Sequence, residues 1–157
     1  MSIYLKLGHI KGSCSESDYE QQIKLNNVKF GVQRSVQMIV GNMKDRERSG
    51  YPQVQQVVFH KDIDSASPYL LQEVCKGKAC GDAEITFTHN DNSYVKFVLN
   101  DAILSAYNIV GYGEEKPSEE ITISFTKFEM VYTPYDDKGN SEAPIPVSYD
   151  LREGTLG

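Results

Sequence analysis

Two cysteines that lie close together in the sequence, Cys75 and Cys80, are the residues best suited to bind a metal. His60 or His89 could complete the site, because zinc in proteins is bound by thiolate and imidazole groups. A structural zinc site usually has two pairs of closely spaced ligands, and this sequence contains no second pair. Cys75 also fits the apolar side of a predicted helix, and Cys80 precedes the next predicted strand. We therefore expect no metal and no other cofactor.

The serines and acidic residues show no pattern typical of catalysis. No serine lies in a glycine-flanked nucleophile turn, and no histidine is placed so as to suggest a dyad with a cysteine or serine. The stretch GYGEE, residues 111–115, lacks the lysine and the glycine spacing of phosphate- and dinucleotide-binding loops. The acidic pairs at 114–115 and 136–137 lack the ligand spacing of a calcium loop. The sequence thus predicts no enzyme activity and no catalytic residue, although residues far apart in sequence could still meet in space.

The composition predicts one globular domain, residues 1–157, that folds in the cytosol. A formal net charge of −6, with acids and bases mixed along the chain, weighs against nucleic-acid binding. No apolar run approaches the roughly 18 residues that a membrane span needs, and the alternating start MSIYLKLGHI is unlike a signal peptide. Cys14, Cys75 and Cys80 cannot all pair within one chain, so reduced thiols are expected.

Alternating apolar and polar residues predict antiparallel strands along most of the chain, for example at 3–7, 85–88 and 145–152. In two segments, 23–32 and 121–132, the apolar positions change parity, which predicts a strand that bends from one sheet to another. A hairpin at 90–92 leads into an apolar pattern that keeps one parity from Val95 to Ile109 and predicts one long strand. We expect a mainly β fold, a two-sheet antiparallel β-barrel or sandwich with one short flanking helix.

That helix is predicted by the stretch KDIDSASPYLLQEVCKGK, residues 61–78. Ser67 is a suitable N-cap, Pro68 fits the first helical position, and Gly77 fits the end. The residues expected to pack against a sheet are Leu70, Leu71, Val74 and Cys75.

A charged stretch, KDRER, lies in a loop predicted between two strands at residues 41–53. Its members are Lys44, Asp45, Arg46, Glu47 and Arg48. They could form a solvated hairpin tip, or an arm that reaches a neighbouring subunit, since the connection is long for a compact hairpin. The residues alone leave these two readings open.

The order of four segments resembles the haemolysin-coregulated protein (Hcp) family of bacterial type VI secretion. They are IYLKLGHIKGSC, IKLNNVKFGV, FHKDIDSASPYLLQEVCKGK and EEITISFTKFEMVYTPYDDKGN, and together they span nearly the whole chain. The helix stretch is the most specific, with Phe59, Lys61, Asp64 and the Ser-Pro pair in the family's pattern.

The resemblance implies a secreted structural protein without enzyme activity. Members form hexameric rings that stack into the inner tube of a contractile injection apparatus, similar to a phage tail tube. The implied partners are other copies of the chain, the tip spike protein, the contractile sheath and small effector proteins held in the lumen. The implied location is the bacterial cytoplasm, followed by export through the apparatus. The resemblance also favours the arm reading for residues 44–48, and it makes Lys29 the candidate lumen-facing residue if Val28 and Phe30 face the core.

Two other functions remain open from the residues. Ten tyrosines in a β-rich frame would suit a monomeric β-barrel that binds a small ligand or carbohydrate. A hydrolase of an unrecognised type is the third reading. Self-association would distinguish the secreted tube protein from both the monomeric binding module and the hydrolase.

Overall fold

The computed structural model describes residues 1–36, 38, 40, 41, 43–47 and 50–157. Strand residues dominate, as the alternation predicts. The elements in chain order are β1 (Ser2–Leu7), β2 (Ile23–Leu25), β3 (Asn27–Lys29), β4 (Val32–Gln33), α1 (Met43–Glu47), β5 (Gln53–Val54), β6 (Val57–Asp62), α2 (Ser67–Lys76), β7 (Ala83–His89), β8 (Asn92–Asn100), β9 (Ile103–Tyr112), β10 (Glu115–Ser124), β11 (Lys127–Tyr132), β12 (Ile145–Asp150) and β13 (Thr155–Leu156). No helix in the described part of the chain is long and apolar enough to cross a membrane.

Two antiparallel sheets pack face to face around the core. Sheet A has seven strands in the order β13-β12-β11-β8-β7-β1-β2, and sheet B has four in the order β3-β6-β10-β9. Strands β4 and β5 form a separate hairpin. Among the described residues each sheet ends in two unpaired edge strands, so the predicted β-rich, two-sheet fold is confirmed as an open sandwich and not as a closed barrel.

Both predicted changes of parity mark places where the chain changes sheet. The chain leaves sheet A after Leu25 and enters sheet B at Asn27. It returns from sheet B after Ser124 to sheet A at Lys127. A strand that crosses between two layers must present its other side to the core, which is why the apolar positions move by one residue.

The long strand predicted from Val95 to Ile109 is wrong. The chain turns at Asp101, whose φ of 52° lies in the left-handed region, and β8 and β9 belong to different sheets. Beyond the turn the buried residues are Ala102 and Leu104, whereas Ile103 is exposed. The apolar residues return to odd positions at Tyr107 because the register of β9 against β10 shifts by one residue between Leu104 and Ala106.

Helix α2 begins one residue earlier than its predicted cap requires. Ala66 is the N-cap without a side-chain hydrogen bond, Ser67 is already helical, and Gly77 ends the helix with a φ of 66° as predicted. The side that packs inward contains Ser67, Leu70 and Glu73, with Val74 against the core.

Two members of the predicted helix-packing set are therefore wrong. Leu70 is fully buried, but Leu71 is 47% exposed and Cys75 is also exposed. An i, i+3 spacing from Ser67 places the buried stripe one position away from Leu71 and Cys75.

Candidate assembly surfaces

Strands β4 and β5 are joined by a long connection, residues 34–52, which is the candidate arm. Within it, Met43–Glu47 form the short helix α1, which includes Lys44 and Arg46, and Arg48 lies outside the described residues. Arg34 Nη2 donates a hydrogen bond to the carbonyl oxygen of Glu47 over 2.6 Å, which ties α1 back to the base of the arm. The arm exposes large apolar side chains as well as charges, namely Val36, Met38, Val40 and Met43. A purely solvated hairpin tip has no use for this apolar surface.

An apolar groove lies at the base of the arm. Its cavity volume is about 620 Å³, and it lies between the β4–β5 hairpin and strands β11 to β13. Val32 and Val54 line one side, and Phe128, Tyr149 and Leu156 line the other. The groove is open to solvent in the single chain, as the large exposed fraction of Leu156 indicates.

Next to the groove, sheet A carries an apolar strip that sheet B does not cover. The strip consists of Met130, Tyr132, Ile145 and Val147, and Met130 pairs with Val147 as Tyr132 does with Ile145. These four residues lie at alternate positions along their strands, on the same inner face of sheet A as Phe128, which packs on the core. All four are exposed, so the inner face of sheet A extends past the edge of the sandwich.

Sheet B offers two free strand edges. Within the described residues β3 pairs only with β6, and β9 pairs only with β10. Every pairing in this sheet is antiparallel, so β3 and β9 run in opposite directions across four strands. Such edges present rows of unpaired N–H and C=O groups that can accept another strand.

The outer face of sheet B is mainly polar along β3, β6 and β10. On it His60 Nδ1 lies 2.6 Å from Asn27 Oδ1, and His60 Nε2 lies 2.9 Å from Glu120 Oε2. Lys29 is exposed and, two residues after Asn27 on β3, shares this face. Val28 and Phe30 pack against the core. This is the arrangement on which the prediction of Lys29 as a lumen-facing residue depends.

A buried ionic network lies on the opposite, inner face of sheet B, beneath α2. The ammonium of Lys61, which is 0% exposed, lies 2.7 Å from Glu119 Oε2 and 2.9 Å from Asp64 Oδ1. Tyr107 on β9 donates its hydroxyl to Glu119 Oε1 over 2.6 Å. Burial and the neighbouring Glu119 carboxylate raise the pKa of Tyr107, because both disfavour a second negative charge.

The cysteines and histidines are not brought together. Cys14, Cys75 and Cys80 are free thiols, and His60 is held on the outer face of sheet B by Asn27 and Glu120. Burial raises the pKa of Cys80, whose Sγ donates to the carbonyl oxygen of Ala102. Across the described residues, no group of three or more histidine, cysteine or acidic side chains could hold a metal ion.

Sequence reasoning missed the two most informative features, the apolar strip and the buried network. Lys61 shares its parity with Val57 and Phe59, and Glu119 shares its parity with Ile121, so charged residues at core positions could have revealed the network. No such signal exists for the strip, because alternation shows which face a residue occupies and not whether anything covers that face.

An open sandwich with free strand edges and an uncovered apolar strip defines a subunit suited to joining copies of itself. A family model described as "Type VI secretion system effector, Hcp" matches residues 4–132, and the chain therefore belongs to the Hcp family.

Similar proteins cover the chain almost from end to end. Protein hcp1 of Pseudomonas aeruginosa is 23% identical over 98% of this chain and 96% of its own length. A structure described as a type six secretion system protein aligns with a TM-score of 0.92 at 18% identity over 99% of both chains. Hcp1 from Salmonella typhimurium aligns with a TM-score of 0.78 at 21% identity, over 99% of this chain and 98% of that one. At these identities the structural matches show the shared fold.

Proposed function

We propose that this chain is a structural subunit whose copies join head to tail into a closed hexameric ring, and that the rings stack into the inner tube of a type VI secretion apparatus. The observation that carries the ring is the pair of free edges, β3 and β9, on a four-stranded antiparallel sheet. Membership of the Hcp family supports the assignment to type VI secretion.

The two free edges favour a ring over a two-fold dimer, because pairing β9 with β9 is also antiparallel but leaves β3 of both copies exposed. Because β3 and β9 run in opposite directions, β9 of one copy can pair with β3 of the next and keep the antiparallel order unbroken. The same operation repeats for every copy, so a contact of this kind either closes into a ring or grows without end. Closure removes both exposed edges at once.

The apolar strip and the groove supply the hydrophobic part of the contact. A strip of inner-face side chains is an unfinished core, and a neighbouring copy can complete it. We assign the arm, with Lys44, Asp45, Arg46, Glu47 and Arg48, to the same contact or to the neighbouring ring, because it combines exposed apolar residues with charges. Its charges would make this contact sensitive to salt.

The polar outer face of sheet B would line the lumen of such a ring. Lys29, His60 and Glu120 would then meet whatever the tube carries, and small effector proteins are the proposed cargo. A mainly polar wall suits transient contact with a folded protein, since it offers hydrogen bonds. The other proposed partners are the tip spike protein and the contractile sheath.

We propose that the protein acts by assembly and not by catalysis. Its proposed path runs from the bacterial cytoplasm through the secretion apparatus to the outside. The described buried polar groups support a structural role, because Lys61 and Glu119 are satisfied by each other and by neighbouring residues.

Size-exclusion chromatography with light scattering, from low micromolar concentration upward and at several salt concentrations, tests this function. We expect a ring mass at the lowest salt and annular particles by negative-stain electron microscopy. A mass of one chain, 17.7 kDa, under every condition would overturn the proposal.

The groove itself supports one alternative, a monomeric binding module for a small ligand. Its volume of about 620 Å³ and its aromatic lining, with Tyr51, Phe128 and Tyr149, are typical of small-molecule sites. The same chromatography separates the two functions, because a binding module stays monomeric.

A further inference from the structure

The buried network beneath α2 connects three strands of sheet B, β6, β10 and β9, with the helix. Lys61 lies on β6, Glu119 on β10 and Tyr107 on β9. The Lys61 ammonium also donates to the carbonyl oxygen of Asp62 over 2.9 Å and to Ser67 Oγ, at the start of α2, over 3.2 Å. A single buried cation therefore holds two strands and the helix, and Glu119 passes the connection on to β9.

The charges of the network are balanced by their surroundings. One ammonium faces two carboxylates, Glu119 and Asp64, and the excess negative charge lies near the N-terminus of α2, where the helix dipole favours it. Asp64 Oδ1 also accepts a hydrogen bond from the backbone N–H of Ala66. The second carboxylate oxygen of Glu119, Oε1, accepts the hydrogen bond from the Tyr107 hydroxyl.

Stability alone does not account for such a network. Buried ion pairs can often be replaced by apolar side chains of similar volume at no cost, because desolvation of the charges offsets their attraction. What an apolar cluster lacks is direction. Hydrogen bonds to fixed atoms define where each strand lies, whereas apolar side chains slide past one another more freely.

Strand β9 needs such an anchor. Its pairing with β10 is irregular at two places, between Glu115 and Ser118 and between Thr122 and Ile123, and the Tyr107–Ile121 pair lies between them. Helix α2 packs against the same strand. On its other side β9 has no strand partner within the described residues.

We propose that the Tyr107–Glu119–Lys61 connection is a positioning device that holds the free edge of β9 in the geometry that the next copy must pair with. This inference rests on the proposed ring. Tyr107 contributes through its hydroxyl on the inner face of the sheet, so it acts on the edge through the strand and not by touching the neighbouring copy.

The test compares Tyr107→Phe with a matched control, Tyr135→Phe. Each change removes one hydroxyl that donates over 2.6 Å, in Tyr107 to Glu119 and in Tyr135 to the carbonyl oxygen of Ser93 in sheet A. Hydrogen exchange of the β9 amides is measured at a concentration where the chain is monomeric, and ring formation is measured by light scattering over a concentration series.

We expect Tyr107→Phe to speed exchange along β9 and to raise the concentration needed for ring formation about tenfold, the shift expected when the loosened edge holds the pairing geometry about one tenth of the time. Tyr135→Phe should leave both readouts unchanged. Equal effects of the two variants, or unchanged exchange and assembly in Tyr107→Phe, would overturn the inference. A wild-type chain that never assembles overturns the proposed function instead, and the exchange comparison then still decides whether Tyr107 holds β9.

Discussion

Truncating the apolar strip should weaken ring formation and cost the single subunit only the part of the burial that it already has. The double variant Ile145→Ala, Val147→Ala removes most of the strip's β12 side, where the two residues are 62% and 52% exposed. Full burial of an Ile or Val side chain stabilises by about 1.5–3 kcal/mol, and roughly half of that is still available to a neighbouring copy. Each truncation therefore costs the contact about 1 kcal/mol, and the pair about 2 kcal/mol, or roughly thirtyfold in dissociation constant.

Light scattering over a dilution series measures this shift, and thermal unfolding of the monomeric fraction serves as the stability readout. Ile63→Ala is the matched control, because Ile63 is 43% exposed and belongs to none of the assembly surfaces. Ring formation by the double variant at the wild-type concentration would contradict a role of the strip in the contact. A loss of subunit stability well above about 2 kcal/mol for the pair, the half of the burial energy that the single chain already has, would show instead that the strip is part of the core.

Three further outcomes follow from particular residues. Leu70→Asp should lower the free energy of unfolding by about 4 kcal/mol or more, because it buries an unpaired charge. Leu71→Asp should change it by less than about 1 kcal/mol, because Leu71 is exposed. Equal melting temperatures of the two variants would contradict the observed buried face of α2. Neutralising the three basic residues of the arm, Lys44, Arg46 and Arg48, should leave the melting temperature unchanged and weaken assembly most at low salt. Unchanged assembly by light scattering would show that the arm is not part of the contact. Hydrogen bonds from the backbone N–H groups of Asn140 and Lys138 hold the pKa of Asp136 below its ordinary value, so its contribution is present at neutral pH and lost as the pH falls through that lowered pKa. Unfolding of wild type and Asp136→Asn should therefore differ at pH 7 and converge in acid, and a constant difference would contradict this origin.

The strands and the changes of sheet could be predicted because their signals are local. Alternation over a few residues identifies a strand, and a change of parity near Asn26 or Thr126 identifies a crossing between layers. The family resemblance was also correct, since it depended on the order of several such segments and not on any one residue.

The start of α2 could not be predicted from its own residues. A serine before a proline is a good N-cap by local rules, yet Ser67 Oγ accepts hydrogen bonds from the backbone N–H of Asp64 and from Lys61. Lys61 is positioned in turn by Glu119, 58 residues further along the chain. A contact at that distance overrides the local preference and shifts the buried stripe, which is why Leu71 and Cys75 face outward.

The exposure of strand β11 links the fold to the need for a second copy. Along its inner face the exposed fraction rises from 8% at Phe128 to 38% at Met130 and 44% at Tyr132. Alternation places all three on the side that packs against sheet B, but sheet B has only four strands against seven in sheet A and leaves the far residues uncovered. A chain that folds alone would gain by making these positions polar, since exposed apolar rows invite association. Apolar residues at these positions are therefore best explained by a core that is completed between subunits, so the same alternation that builds the sandwich would also extend it into the proposed ring.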